Sequence, residues 1–419
     1  MMEPRALLTA AFRASVAAAD PARNIYRYLP QRPNGRTVVV GAGKASARMA
    51  AAFEKVWDGP LEGFVVTPRG FGVECELIEI LEASHPVPDQ AGLSATQRLL
   101  DLVSGLTSDD LVVALISGGG SALLPCPPAG LTLADEIAVN EALLRSRAPI
   151  SAMNIVRKHI SRVKGGRLAL ACHPAKVISL VVSDIPGDDV AIVASGPTIP
   201  SAGTRHDALD VIRRYGIALP NRVIAHLKTP MATAPAVDDP RICDNEVHLI
   251  ASAAISLEAS AAEARRWGLE VAILSDSIEG EARVVGAMHA AIAREVAGRN
   301  RPFGKPVLML SGGETTVTLR ANGRGGRNSE FLLGLAIGIQ GVSGVHALAA
   351  DTDGIDGSED NAGAFADGTS VDRMRASGMN AGDLLESNDA WIAFHSISDL
   401  FFTGPTGTNV NDFRAILIT

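Results

Sequence analysis

Thr37-Val38-Val39-Val40-Gly41-Ala42-Gly43-Lys44-Ala45-Ser46 carries a β-branched run through two glycines into Ala47-Arg-Met-Ala-Ala-Ala-Phe53, a segment of helical period. Similar apolar runs stand at Gly63-Phe-Val-Val, Leu111-Val-Val-Ala-Leu-Ile, Val177-Ile-Ser-Leu-Val-Val, Val271-Ala-Ile-Leu, Pro306-Val-Leu-Met-Leu and Val345-His-Ala-Leu-Ala-Ala, with Ala/Leu/Arg-rich segments between them. Runs that are apolar without alternation mark strands buried on both faces, and strands alternating with helices predict parallel order. The expected fold class is therefore α/β, with two domains, each a mainly parallel sheet covered by helices. Such sheets place ligands at the carboxyl ends of their strands, where this chain puts its glycines and polar residues.

A chain of 419 residues accommodates two domains, each with its own core. Lys228-Thr-Pro230-Met-Ala-Thr-Ala-Pro235-Ala-Val-Asp-Asp-Pro240 has three prolines and no hydrophobic period, so the expected domains are 1–235, Rossmann-like, and 236–419. Hydrophobic content of 47%, charged content of 20% and 41 glycines fit a compact α/β enzyme with many tight turns. A net charge of −8 without a Lys/Arg block argues against a nucleic-acid partner. Glu3, Arg5 and Arg13 interrupt the apolar N-terminus, and no run reaches the roughly 18 to 20 apolar residues of a membrane span. The protein is expected to be cytoplasmic, without a membrane partner. Its four scattered cysteines form no C-x-x-C pair and read as reduced.

Several loops carry residue types suited to phosphate chemistry. Gly41 and Gly43 precede a helix N-terminus, where unpaired N–H groups and a positive dipole end favour an anion, and Lys44 adds a mobile cation. This is not a Walker A loop, since a single residue separates the glycines. Ser46 stands where the third glycine of a dinucleotide fingerprint belongs. Ser117-Gly118-Gly119-Gly120-Ser121 follows a buried run and reads as a nest of backbone amides for an anion. The basic run Arg157-Lys158-His159-Ile-Ser-Arg162-Val-Lys164-Gly-Gly-Arg167 offers cations to a carboxylate or phosphate, or a solvated face. Asp184 and Asp189, at another strand end, are candidates for a metal ligand or for the base that takes a hydroxyl proton. Arg327, with glycines before it and Asn328 or Ser329 to cap the helix it opens, suits a transferring phosphoryl group. Asp351-Thr-Asp353-Gly-Ile-Asp356-Gly357 crowds carboxylates at the end of an apolar run, a pattern suited to an oxygen-liganded cation such as Mg²⁺ or to a plain Asx turn. An EF-hand reading fails because Ile355 and Ala362 fall at ligand positions. The loop Thr403 to Asp412 binds a nucleotide or merely turns.

Together these motifs resemble the glycerate 2-kinase family, built from an N-terminal α/β domain and a C-terminal MOFRL domain, some of whose bacterial members are labelled hydroxypyruvate reductase. The resemblance spans nearly the whole chain. It rests on Val40 to Ser46, Ser84-His85-Pro86-Val-Pro88-Asp89, Ser117 to Leu123, Asn154 to Arg167, Ser183-Asp184 with Gly187-Asp188, Ser195-Gly-Pro197-Thr198, Ser311-Gly-Gly313-Glu314-Thr-Thr316, Gly325-Gly-Arg327-Asn328, Asp351 to Gly357 and Thr406-Gly407-Thr408-Asn409. It implies ATP- and Mg²⁺-dependent phosphorylation of D-glycerate to 2-phosphoglycerate, with the active site in the cleft between the domains. It also implies that Lys44 and Arg327 are essential and that Asp184 or Asp189 acts as base. The nucleotide would meet Gly41, Gly43, Ser117 to Ser121, Gly313, Glu314, Thr408 and Asn409, and the metal would meet Asp351, Asp353 and Asp184. Ser329 departs from the amide expected there. A monomer or homodimer is expected. Two other readings stand beside it: an NAD(P)H-dependent hydroxypyruvate reductase, disfavoured because Val65-Val66-Thr67-Pro68 holds no ribose-binding acid, and a non-catalytic nucleotide- or metabolite-binding protein.

Overall fold

The computed structural model describes residues 3–146 and 148–419. The chain forms two units. The first holds Pro21–Ile185 and Asp189–Ile250; the second holds the segment up to Asp20, Pro186–Asp188 and Ala251–Thr419.

The first unit is built on strands β1 (Thr37–Ala42), β2 (Glu62–Pro68), β3 (Glu79–Ala83), β4 (Leu111–Ser117), β5 (Lys176–Val182) and β6 (Glu246–Ala251), in the order β3-β2-β1-β4-β5-β6. The pairings from β3 through β5 are all parallel. Strands β1 and β4 are buried along their whole length, and Val38, Val40, Val112, Ala114 and Ile116 join the core beneath the covering helices. Parallel order brings the ends of β1 and β4 side by side, so the loops after Ala42 and Ser117 meet.

Lys158, Lys164 and Arg167 of the basic run act as structural braces in this unit. Arg167 donates to the carbonyls of Ser161, Thr233 and Ala232 at 2.7, 2.9 and 2.8 Å. Lys158 donates to the carbonyl of Ser201 at 2.7 Å, and Lys164 forms a buried ion pair with Glu136. His159 Nδ1 lies 2.7 Å from the carbonyl of Ala232.

The second unit adds β7 (Glu270–Ser275), β8 (Gly280–Glu281), β9 (Val307–Gly313), β10 (Thr315–Thr316), β11 (Val345–Asp351), β12 (Gly363–Asp367), β13 (Leu400–Phe401) and β14 (Asp412–Ile418). Its main sheet has the order β13-β12-β11-β14-β9-β7. Only the β7–β9 pairing is parallel; β14 runs antiparallel to both β9 and β11, and β12 is antiparallel to β11 and β13. The expectation of a mainly parallel second sheet is thus corrected. Both faces of this sheet are covered, so its strands lack polar alternation and look parallel in composition.

The boundary also moves. Residues 236–250 belong to the first unit because β6 adds to the edge of its sheet beside β5, and the N-terminal helix Pro4–Ala19 belongs to the second. That helix lies along Ala253–Arg266, where Ser260 and Ser256 donate to the carbonyls of Ala11 and Ser15 at 2.6 and 3.0 Å. Phe12 packs edge-on against Phe401 and Phe413.

The helices Ala282–Arg299 and Arg327–Gly338 pack closely enough that a Cβ on Gly286 would stand 2.1 Å from the carbonyl oxygen of Phe331. This contact fixes the helix that begins at Arg327. Beside it, His289 is buried, with Nδ1 2.9 Å from the carbonyl of Val285 and Nε2 3.0 Å from Ser311 Oγ. Burial, aided by the charge of Arg414 and opposed by the Val285 bond, lowers its pKa to about 4. An unfolded histidine titrates near 6.5, so between those values the unfolded chain binds more protons and stability falls as pH drops. Urea unfolding should lose up to about 3 kcal/mol from this group between pH 6.5 and 4, and His289→Gln should flatten that slope. An equal slope in the variant would assign the acid sensitivity elsewhere.

Candidate active site

In the first unit the ends of β1 and β4 are welded together. Lys44 N donates to the carbonyl of Gly118 at 2.8 Å, Ala45 N to Ser117 Oγ at 3.0 Å, and Ser46 Oγ to the carbonyl of Leu115 at 2.8 Å. Gly41 and Gly43 serve this approach: a Cβ on either would lie within 2.2 Å of Leu115 O or Ser117 Oγ. Ser117 is buried, and its hydroxyl is engaged by the neighbouring loop.

The triple glycine has two causes. Gly119 lies at φ +82°, in the left-handed region that favours glycine, and the carboxylate of Asp184 presses so close to Gly118 that a Cβ there would overlap it. The side chains of Lys44 and His85 flank Gly119. Lys44, Asp184, His85 and the glycine loop therefore form one cluster at the carboxyl edge of the sheet. Desolvation and then the charge of Lys44 lower the His85 pKa, which favours the neutral ring at pH 7. Asp189 is placed differently: it is exposed and its carboxylate accepts from Ala191 N at 3.1 Å, closing an Asx turn.

The second unit assembles its own cluster around Arg327, the first residue of its helix. Nε lies 2.6 Å from Asp412 Oδ1, Nη1 2.8 Å from Glu314 Oε1 and Nη2 2.8 Å from Asp351 Oδ2. Burial works against the charge, but Asp412, Asp351 and Glu314 outweigh it and hold Arg327 above the ordinary guanidinium value. Asp412 is fully buried and also accepts from Thr315 N, Thr315 Oγ1 and Asn328 Nδ2 at 3.1, 3.0 and 3.0 Å, besides pairing with the buried Arg414. Glu314 is half exposed, so its arm of the guanidinium is the one an incoming anion can displace.

Asp351 and Asp353 share a turn in which Asp353 N donates to Asp351 Oδ1 at 3.1 Å. Burial and then the charge of Asp353 raise the Asp351 pKa, against the pull of Arg327. The loop before β14 braces this turn. Thr406 N donates to the carbonyl of Asp353 at 2.9 Å, and Asn409 Nδ2 to Asp353 Oδ2 at 3.4 Å, while the Thr408 hydroxyl donates to the carbonyl of Ala19 at 3.0 Å. Thr408 and Asn409 thus hold the chain around the carboxylates. Gly313 admits the backbone of Ile278, which a Cβ would approach to 2.3 Å. Asp356 leaves the acidic group altogether: it is buried and caps the Arg327 helix, accepting from Asn328 N and Ser329 N at 2.9 and 2.8 Å. The Ser329 hydroxyl donates to the same carboxylate, which accounts for a small residue there.

Family comparisons fit this geometry. Residues 307–412 match the MOFRL family and residues 7–228 match a domain of unknown function, DUF4147. A D-glycerate 2-kinase from Thermotoga maritima is 39% identical over the full length of both chains. The chain belongs to the glycerate 2-kinase family. A crystal structure of glycerate kinase from Thermotoga maritima superposes with a TM-score of 0.91 at 38% identity, covering 99% of each chain. A protein named putative hydroxypyruvate reductase, from Agrobacterium vitis, is 52% identical over 99% of this chain and 94% of its own. Among the described residues no helix is long and apolar enough to cross a membrane.

Glu314, Asp351, Asp353 and Asp412 against Arg327 and Arg414 leave a formal excess of two negative charges. The donors are all hard oxygens, and the Asp351–Asp353 crowding is the kind a cation relieves. The residues fit Mg²⁺ with one or two protein carboxylates, as is usual when substrate phosphates complete its shell. The sequence does not mark a role for three charged or titratable residues of these clusters: His85, Asp412 and Arg414. His85 stands within a motif of the sequence; Asp412 carries little local signal, since its partners other than Arg414 come from two distant segments, at Thr315 and at Arg327–Asn328.

Proposed function

We propose that this chain transfers the γ-phosphoryl group of ATP to the 2-hydroxyl of D-glycerate, giving 2-phosphoglycerate and ADP with Mg²⁺. The observation that carries the reading is Arg327, held by three carboxylates with one exchangeable arm at a site with excess negative charge. A guanidinium fixed in advance neutralises charge on a transferring phosphoryl group without reorganising. Asp351 and Asp353 would hold Mg²⁺, which when bound would offset the charge of the nucleotide phosphates. Lys44, beside the Gly118–Gly120 amides and a helix N-terminus, supplies a second cation for phosphate. The 2-hydroxyl oxygen forms the new bond to phosphorus as the bond to the bridging oxygen of ADP breaks. Asp184, whose carboxylate lies against the glycine loop, would accept the hydroxyl proton.

The reductase name borne by the Agrobacterium relative is less well supported. The β1 turn keeps Ser46 in the third-glycine position with its hydroxyl turned to the Leu115 carbonyl, and β2 ends in Thr67 and Pro68, where a dinucleotide fold carries a carboxylate for the ribose. Lys44→Ala should lower kcat about two orders of magnitude, the usual cost of one transition-state donor; near-normal turnover would remove Lys44 from the mechanism. Product identity tests the reading itself. Phosphorus resonance of the 2-phosphate should be split by one proton into a doublet, whereas a triplet would place the phosphate on the 3-oxygen and refute the regiochemistry.

A further inference from the structure

Arg157 stands apart from the other cations of its run. It lies at the end of the helix Ile150–Lys158, and its Nε donates to Asn140 Oδ1 at 2.9 Å and its Nη1 to Asn154 Oδ1 at 3.4 Å. Among the described residues no carboxylate pairs with it. Glu136, whose charge does reach it, is already committed to Lys164. A guanidinium taken partly out of water with only neutral amides beside it lacks the counter-charge that normally accompanies such burial. Desolvation accordingly lowers its pKa. Among the described residues, two of its five N–H groups are engaged, and the Nη2 end of the fork meets no protein acceptor.

Hydrogen bonds join this guanidinium to the glycine loop. Asn154 Oδ1 accepts from Ser195 Oγ at 2.8 Å, and Ser195 Oγ lies 3.0 Å from Ser121 Oγ, the last residue of the loop. The backbone that presents Ser195 is strained: Ala194, Ser195 and Gly196 all lie in the left-handed region, at φ 52°, 62° and 58°. Two consecutive non-glycine residues keep that conformation because the carbonyls of Ser195 and Gly196 accept from Gly165 N and Gly166 N at 3.0 and 2.8 Å. The strain places a hydroxyl between the loop and Asn154.

We infer that Arg157, with Asn154, Ser195 and Ser121 beside it, is the recognition site for the carboxylate of the small 2-hydroxyacid substrate. The assignment rests on the kinase reading for the identity of that acid, but not for the presence of an anion site. A planar fork with a free end matches a carboxylate bidentately, and the neighbouring hydroxyls would accept or donate to the 2-hydroxyl or the second carboxylate oxygen.

The test is titration calorimetry of the full chain with D-glycerate, beside steady-state rates. Arg157→Met keeps most of the stem and removes the charge; it should raise both Kd and KM for D-glycerate about 30-fold, the scale of one lost hydrogen-bonded charge. KM for ATP should not change, and binding of uncharged glyceramide should shift less than about twofold, a difference that a merely structural Arg157 would not produce. Arg157→Lys, which retains charge but not the fork, should lose about fivefold, and it decides the matter if the Met variant does not fold. An unchanged Kd for D-glycerate in the folded variant overturns the assignment. Wild-type protein that binds D-glycerate but releases no ADP, with binding lost in Arg157→Met, sinks the kinase reading and leaves the carboxylate site standing. Wild-type protein that does not bind D-glycerate overturns both.

Discussion

Arg327→Ala is expected to lower kcat by about three orders of magnitude, in the range found when a phosphoryl-transfer arginine is removed. The guanidinium is unusual in being positioned before any anion arrives: Asp412 fixes Nε, Asp351 fixes Nη2, and only Glu314 is half exposed. Preorganisation of that kind contributes mainly to the transition state, so the loss should appear in kcat more than in KM for ATP. Arg327→Lys should recover little, because an ammonium cannot hold three carboxylates in a plane and still meet an anion. Single-turnover rates would separate this from slow product release. A variant with kcat within tenfold of wild type would contradict the role given to Arg327.

Asp412→Ala should cost about 3–5 kcal/mol of folding stability, the usual consequence of leaving a buried charge without its partner. Arg414 is fully buried, and burial opposes its charge while Asp412 supports it. Without that carboxylate the Arg414 guanidinium would keep only the Gly312 carbonyl at 3.1 Å and the Thr315 hydroxyl at 3.2 Å. Denaturant unfolding measures the loss. Replacing both residues together, Asp412→Leu with Arg414→Met, should regain most of the stability, since removing a buried pair is far cheaper than breaking it. Activity should stay low in that double variant because Arg327 loses its Nε anchor. Recovery of activity along with stability would make Asp412 a structural residue alone.

Much of this architecture was legible in the sequence. The seven apolar runs are strands, and the glycine turns after β1 and β4 meet because parallel strands align their ends. Strand direction in the second sheet was not legible, since coverage of both faces erases the alternation that marks antiparallel order. Within Asp351–Asp356 composition showed three like residues, whereas the fold gives them separate tasks: Asp351 pairs with Arg327, Asp353 closes the turn and Asp356 caps a helix. Those tasks depend on which distant N–H groups arrive beside each carboxylate. The basic run illustrates the reverse case. Its cations look interchangeable in the sequence, yet Lys158, Lys164 and Arg167 are spent on carbonyls and a glutamate, and among the described residues Arg157 pairs with no carboxylate.

The central claim, that this chain moves a phosphoryl group rather than a hydride, is tested most directly on one purified sample divided in two. One half receives D-glycerate, ATP and Mg²⁺ with ADP followed by a coupled assay; the other receives hydroxypyruvate and NADH or NADPH. ADP and 2-phosphoglycerate should form in equal amounts, with no oxidation of the nicotinamide above the protein-free rate. Nicotinamide oxidation dependent on hydroxypyruvate, with no ADP released, would contradict it.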